Sequence, residues 1–247
     1  MFKRDGAVTT VHTHSCTALR AGIAAAGGLA LAAGIEAATY RLWRPWCLSW
    51  GAINDEAART LPGDELLADP AIVSTRAVWA AAPPSAIWPW LVQMGPGRGG
   101  AYTYDWIENV LGLGMHSADR VLPQFQDLKV GDAQRLGSRG PVLRVAILDK
   151  ERSMVLRSDD GNWIWAFSLA PTGMGTRLIS RNRIAIPGAS RLARALNTYV
   201  MEPGSLIMER KMLLGIKQRA ERLAASLSTA TDRSPQGDQE GCGAAGD

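Results

Sequence analysis

Asn162-Trp163-Ile164-Trp165-Ala166-Phe167-Ser168-Leu169-Ala170 alternates with a period of two. Trp163, Trp165, Phe167 and Leu169 fall on one face, and Ile164, Ala166 and Ser168 fall on the other. This is the pattern of a β-strand. A strand whose large rings all point one way must lay that face on a core.

Strand partners lie on both sides of this stretch. Val142 to Leu148 and Met154 to Arg157 flank the hairpin signal Asp149-Lys150-Glu151-Arg152. Pro171-Thr172-Gly173 turns the chain, and Thr176 to Ile186 returns as a partner strand. Further upstream, Ile72 to Ala81 is β-branched and aromatic enough for another strand. Pro83-Pro84-Ser85 ends it and opens a helix, IWPWLVQMG, that stops at Gly95. After the loop PGRGGAY, Tyr104 to Leu113 reads as a short helix with Trp106, Ile107, Val110 and Leu111 on its buried side.

From Ala189 to about Leu227 the period is helical. Pro203-Gly204 is expected to kink or break this run, with a longer helix from about Ser205. Leu206, Ile207, Leu213, Leu214, Ile216, Ala220, Leu223 and Leu227 give that helix a broad apolar stripe, while Arg210, Lys211, Lys217 and Arg222 lie largely outside it. Consecutive antiparallel strands must bury one face, and the terminal helix is the element large enough to cover it. The fold class is therefore α+β.

The chain has 247 residues, of which 47% are apolar and 20% charged. That composition excludes a wholly disordered or fibrous protein. A net charge of +4, not concentrated in one block, gives no reason to expect nucleic acid. Cys16, Cys47 and Cys242 stand far apart with no CxxC pair, so neither a disulfide framework nor a zinc site is expected. His12 and His14 precede any folded region and read as tail. No metal or cofactor is expected.

Four segments follow. Residues 1–46 read as a tail and membrane-anchor helix, 47–70 as an acidic, turn-rich linker, 71–227 as the folded domain, and 228–247 as a disordered tail. Ala21 to Ile35 carries no charge but is shorter than the ~20 apolar residues of a spanning helix. Arg20 can snorkel, and Trp43, Trp46 and Trp50 with Arg41 and Arg44 resemble an interfacial belt. Membrane association through residues 19–43, as a single N-terminal anchor of unassigned orientation, is the expectation. An export signal cleaved near Ala30-Leu31-Ala32 and a soluble helix are the alternatives, which would make the protein exported or cytoplasmic.

Several pieces together resemble a known family. They are Trp50-Gly51-Ala52, LPGDEL at 61–66, the strand around Thr75-Arg76, IWPWLVQMGPGRGGAYTYDWIEN at 87–109, SADRVLPQFQDLKVGD at 117–132, TRLISRNR at 176–183 and MERKMLLGIKQRAE at 208–221. In order and spacing the chain is similar to the SRPBCC (START-like, polyketide-cyclase-like) superfamily, and within it to actinobacterial-type members of unassigned function. The resemblance implies a helix-grip fold, a curved antiparallel sheet wrapped around a long C-terminal helix with an apolar cavity between them. It implies binding or transfer of a hydrophobic small molecule or lipid, or alternatively a cyclase, aromatase or dehydratase using the same cavity. Fold alone does not choose between them.

Candidate cavity residues come from three places. Trp88, Trp90, Gln93 and Met94 offer an adaptable apolar wall, although ordinary core packing explains the same residues. Trp163, Trp165 and Phe167 supply the strand face, and Leu213 the helix stripe. Arg98, Tyr102 and Tyr104 sit on the rim, where Gly95, Gly97, Gly99 and Gly100 make a candidate gate. For chemistry, Asp105 and Glu108 are three apart and share a helix face; helix-terminal acids and an Arg98–Asp105 ion pair are the plainer readings. His116 is a candidate general base without a nucleophile motif beside it. Arg177, Arg181 and Arg183 share one parity. They either bind an anion on an inner face or, as expected for two of the three, form a solvated outer face. The sequence leaves ligand identity and oligomeric state open.

Overall fold

The computed structural model describes residues 38–232 except 111, 138 and 139, together with Gly28 and Gly34. The chain divides into two compact units, Met1–Trp46 and Cys47–Asp247.

In the first unit residues 38–46 are helical. Tyr40 meets Trp43 edge-on at 4.8 Å between ring centroids, and Trp43 lies 6.1 Å from Trp46. Among the described residues no helix is long and apolar enough to cross a membrane. The expected location through a single N-terminal anchor is therefore corrected. Residues 38–46 extend about 14 Å at 1.5 Å per residue, against a hydrocarbon core of ~30 Å, and they carry Arg41 and Arg44. The apolar run 21–35, apart from Gly28 and Gly34, lies outside the described residues, as do Cys16, His12, His14 and the tail after residue 232.

In the second unit six strands form one antiparallel sheet in the order β1-β6-β5-β4-β3-β2. They are β1 (Ile72–Ala80), β2 (Ala133–Arg135), β3 (Val142–Asp149), β4 (Ser153–Ser158), β5 (Trp163–Thr172) and β6 (Gly175–Ile184). The hairpin expected at 149–152 is there, closed by the Arg152 N–H on the Asp149 carbonyl at 3.0 Å. The turn expected at Pro171-Thr172-Gly173 lies two residues later, because Thr172 still pairs with Gly175. A bulge between Val145 and Ile147 bends β3.

The helices are α1 (Asn54–Ala58), α2 (Pro84–Val92), α3 (Asp105–Val110), α4 (Arg191–Leu196) and α5 (Glu202–Asp232). Between α4 and α5 the chain makes a π turn, Asn197–Met201, closed by the Glu202 N–H on the Asn197 carbonyl. This is the break anticipated at Pro203. Its ring would meet the carbonyl of residue 199 in a regular α-helix, and a wider turn relieves that clash. Beyond it α5 is continuous and runs past Leu227.

This is the helix-grip fold. Phe167, Leu178, Met154 and Leu143 of the inner sheet face pack with Ile87 and Leu91 of α2 and with Met212, Leu213, Ile216 and Ala220 of α5. Gly215 lets α5 approach closely, since a Cβ there would stand 2.6 Å from the Tyr102 carbonyl oxygen.

The outer face is covered as well. Ile164, Ala166 and Val155 pack under Leu66 and Leu67, and Ile179 and Ala77 pack under Leu61. Polar bonds hold this covering in place. Arg181, 3% exposed, donates to the carbonyls of Glu56, Ala57 and Arg59 and pairs with Asp64 at 2.6 Å. Arg177 grips Glu56 at 2.6 and 2.8 Å, and Arg183 donates to the carbonyls of Leu67 and Ala68. These three arginines do face outward, but they are not a solvated face. The charges of residues 55–64 meet them there.

Candidate functional site

Between the inner sheet face and α5 lies a cavity of about 510 Å³. Trp163 and Trp165 of β5 form one wall, stacked with ring centroids 5.7 Å apart at 16°. Ile72 and Ile184 bring the ends of β1 and β6, and Met201, Met208 and Met212 bring the helical side.

The tryptophans do not choose their own orientation. The Trp163 indole N–H donates to Asn182 Oδ1 at 2.8 Å, and that of Trp165 donates to Ser180 Oγ at 3.0 Å. Both acceptors are on β6, where the register sets Trp165 opposite Asn182 and Phe167 opposite Ser180. Burying the indole N–H groups is tolerable because each has an acceptor.

Ser180 and Asn182 in turn hold a buried carboxylate. Glu209 of α5 accepts from Ser180 Oγ, and Asn182 Nδ2 donates to both of its carboxylate oxygens at 3.2 and 3.3 Å; it also pairs with Arg76 of β1. The rest of the Arg76 guanidinium is engaged: Nε donates to the Cys47 carbonyl and Nη2 to Ser205 Oγ, both at 3.1 Å. Burial pushes the Glu209 carboxyl upward, opposed by the Arg76 charge and the Ser180 bond. An arginine cannot discharge, so the wholly buried Arg76 requires this counter-charge.

On another part of the wall α3 presents Glu108, 4% exposed and lining the cavity. Burial raises its carboxyl above the ordinary range; the Thr103 hydroxyl beside it opposes the shift, and Asp105 adds to it. Glu108 Oε2, Thr103 Oγ1 and Asn197 Nδ2 are buried atoms without a hydrogen-bond partner in the protein, and all three residues line the same cavity.

The aim of α3 is a correction. Trp106, expected on its buried side, is 69% exposed, and Val110 is also exposed. Asp105 and Asn109, four apart and therefore neighbours on the helix, both grip the following loop. Asp105 accepts from Ser117 N and Oγ at 2.8 and 2.6 Å, while Asn109 exchanges bonds of 3.0 and 2.8 Å with the Met115 backbone. Those bonds set the helix rotation. Asp105 consequently does not join Glu108 as an acid/base pair, nor does Arg98 pair with it. His116 is exposed.

The other candidates lie elsewhere. Trp88, Phe167 and Leu213 are in the core, and Trp90 is packed edge-on to Tyr102, whose hydroxyl donates to the Trp90 carbonyl at 2.9 Å. Gln93, wholly buried, accepts from Leu122 N at 2.9 Å and donates to the Arg120 carbonyl. Met94 lines a smaller space of about 30 Å³. Arg98 donates to the Val92 and Phe125 carbonyls, and Tyr104 lies under Lys211. Gly95 and Gly100 exchange backbone bonds of 3.0 and 3.2 Å. A Cβ on Gly100 would stand 2.6 Å from the His116 carbonyl oxygen, so this glycine permits close packing of the loop. Among the described residues no group of three or more His, Cys, Asp or Glu could hold a metal ion.

Solved structures are similar to part of this chain. The KanY protein is 14% identical with a TM-score of 0.41, over 61% of this chain and 97% of that one. The Polyketide_cyc-like protein Cgl2372 from Corynebacterium glutamicum is 14% identical with a TM-score of 0.31, over 67% and 97%. Protein Ms6760 from Mycobacterium smegmatis is 18% identical with a TM-score of 0.30, over 64% and 92%. No protein-family model matches the chain, and no curated protein matches it. At such identities and TM-scores these likenesses carry no argument, and the chemistry of the cavity must come from this chain's own residues.

Proposed function

We propose that this protein binds a hydrophobic small molecule in the cavity between β5, β6 and α5. The observation that carries the reading is the wall of Trp163 and Trp165, held at fixed angles by Asn182 and Ser180 beside about 510 Å³ of space. Ligand sites are commonly ~300–1,000 Å³, apolar, and furnished with a few placed polar groups. Side chains fixed before the ligand arrives lose little freedom on binding.

The test is native mass spectrometry of protein purified from its host, together with titration by the neutral dye N-phenyl-1-naphthylamine. A co-purifying apolar molecule or one-to-one dye binding is expected, and Met208→Trp should abolish either by filling the space. A folded protein that is empty and also refuses the dye overturns the reading.

A second reading, a cyclase, aromatase or dehydratase, is favoured by Glu108 alone, a buried carboxyl of raised proton affinity facing the cavity. It requires loss of water from a poly-β-ketone thioester analogue, abolished in Glu108→Gln. If Glu108→Gln and the native protein leave the analogue equally unchanged, this reading is removed.

A further inference from the structure

We infer that the ligand is a hydrophobic molecule carrying a hydroxyl or carbonyl group and no anionic head, and that Glu108 and Thr103 hold that group. This rests on the binding function proposed above and names the class of molecule.

Charge excludes an anionic head. Among the described residues that line the cavity there is no Lys, Arg or His, whereas Glu108, Asp160, Glu202 and Glu209 are all acids. The nearest buried cation, Arg76, already serves Glu209, Ser205 and the Cys47 carbonyl. A carboxylate or phosphate head would therefore enter a space with acids around it and no free cation, at a large desolvation cost.

The polar groups that still lack a partner are few and placed. Glu108 Oε2, Thr103 Oγ1 and Asn197 Nδ2 are buried with no partner elsewhere in the protein, and the Thr103 hydroxyl stands against the Glu108 carboxyl, within reach of it alone. A buried polar atom left unpaired is costly, so a ligand that bonds it gains what an apolar one does not. A buried carboxyl accepts, and a threonine hydroxyl both donates and accepts. That pair matches a ligand hydroxyl or carbonyl. The rest of the ligand lies against Trp163, Trp165 and the methionines.

Three probes of equal chain length separate the alternatives: 1-decanol, 2-decanone and decanoate, titrated calorimetrically into the full chain at neutral pH. The alcohol and ketone should bind, with the carboxylate at least about tenfold weaker. Glu108→Gln, which keeps one donor and one acceptor, should hold the alcohol's affinity within about threefold. Glu108→Leu and Thr103→Val should each weaken it by about three- to tenfold, the range expected for one hydrogen bond. The inference is overturned if decanoate binds at least as tightly as decanol. It is equally overturned if Glu108→Leu and Thr103→Val, checked for folding by thermal unfolding, bind decanol like the native protein. If no probe binds and N-phenyl-1-naphthylamine is also refused, the binding function itself fails. If the dye binds but the alcohol and ketone do not, only the assignment of the polar head fails.

Discussion

Arg76 of β1 and Glu209 of α5, 133 residues apart in sequence, form an ion pair in which the arginine side chain is 0% and the glutamate 7% exposed. Through Ser180 and Asn182 the same carboxylate fixes the two tryptophans of the cavity wall.

Breaking this pair from one side leaves a buried charge uncompensated. Arg76→Leu and Glu209→Leu should each destabilise by about 3–5 kcal/mol. The double variant should lose clearly less than the sum, since it retains neither charge. Denaturant unfolding of the four proteins measures the coupling.

Glu56 should govern acid sensitivity on the outer face. Burial alone would raise its carboxyl, but the bonds from Arg177 and the Ile53 N–H bring it below the ordinary value of 4.5. The folded form thus holds its proton less tightly than the unfolded chain. The contribution is complete above 4.5 and is lost as pH falls through the lower folded value. Glu56→Gln should lower the Tm at neutral pH, and its difference from the native protein should shrink on acidification.

Glu108 has the opposite sign. Its folded carboxyl binds the proton more tightly than the unfolded one, so its contribution is complete below 4.5 and declines as pH rises from there towards the folded value. Glu108→Gln removes that decline. Thermal scans across the range should show the variant gaining on the native protein as pH increases. A residual slope is expected from Glu209, which is also shifted upward.

Gly215→Ala should destabilise the protein although alanine is the better helix former. The added methyl would stand 2.6 Å from the Tyr102 carbonyl oxygen and 3.0 Å from its Cβ. A loss of about 1–3 kcal/mol is expected from such overpacking, measurable by urea unfolding. Alanine at Gly204, where no atom lies within 4 Å, is the control.

The period of two in residues 162–170 made the sheet legible, because a strand buried on one side writes its faces into alternating positions. It also placed Trp163 and Trp165 on the inner side with no knowledge of their partners. The clamp behind them was not legible. Arg76, Ser180, Asn182 and Glu209 come from three elements, and Glu209 sits inconspicuously in Met208-Glu209-Arg210-Lys211 among ordinary surface charges. One cue was present: an arginine inside Ile72–Ala80, an otherwise largely apolar strand, demands a buried acid somewhere. The six residues of α3 span fewer than two turns, too few for an apolar period to fix their rotation. Hydrogen bonds from Asp105 and Asn109 fix it instead, and they turn a glutamate inward.

The π turn at Asn197–Met201 has a geometric effect on the cavity. Regular α-helix advances about 100° per residue, so the single extra residue accommodated there shifts the phase of everything before it by roughly that angle. Asn197 and Met201, at the two ends of the turn, both reach the cavity. Deleting one residue from the turn would rotate the upstream helix by more than a quarter of a circle. The side of the chamber lined by this turn is therefore gauged by one residue of helical phase, and its dimensions can change without altering any strand.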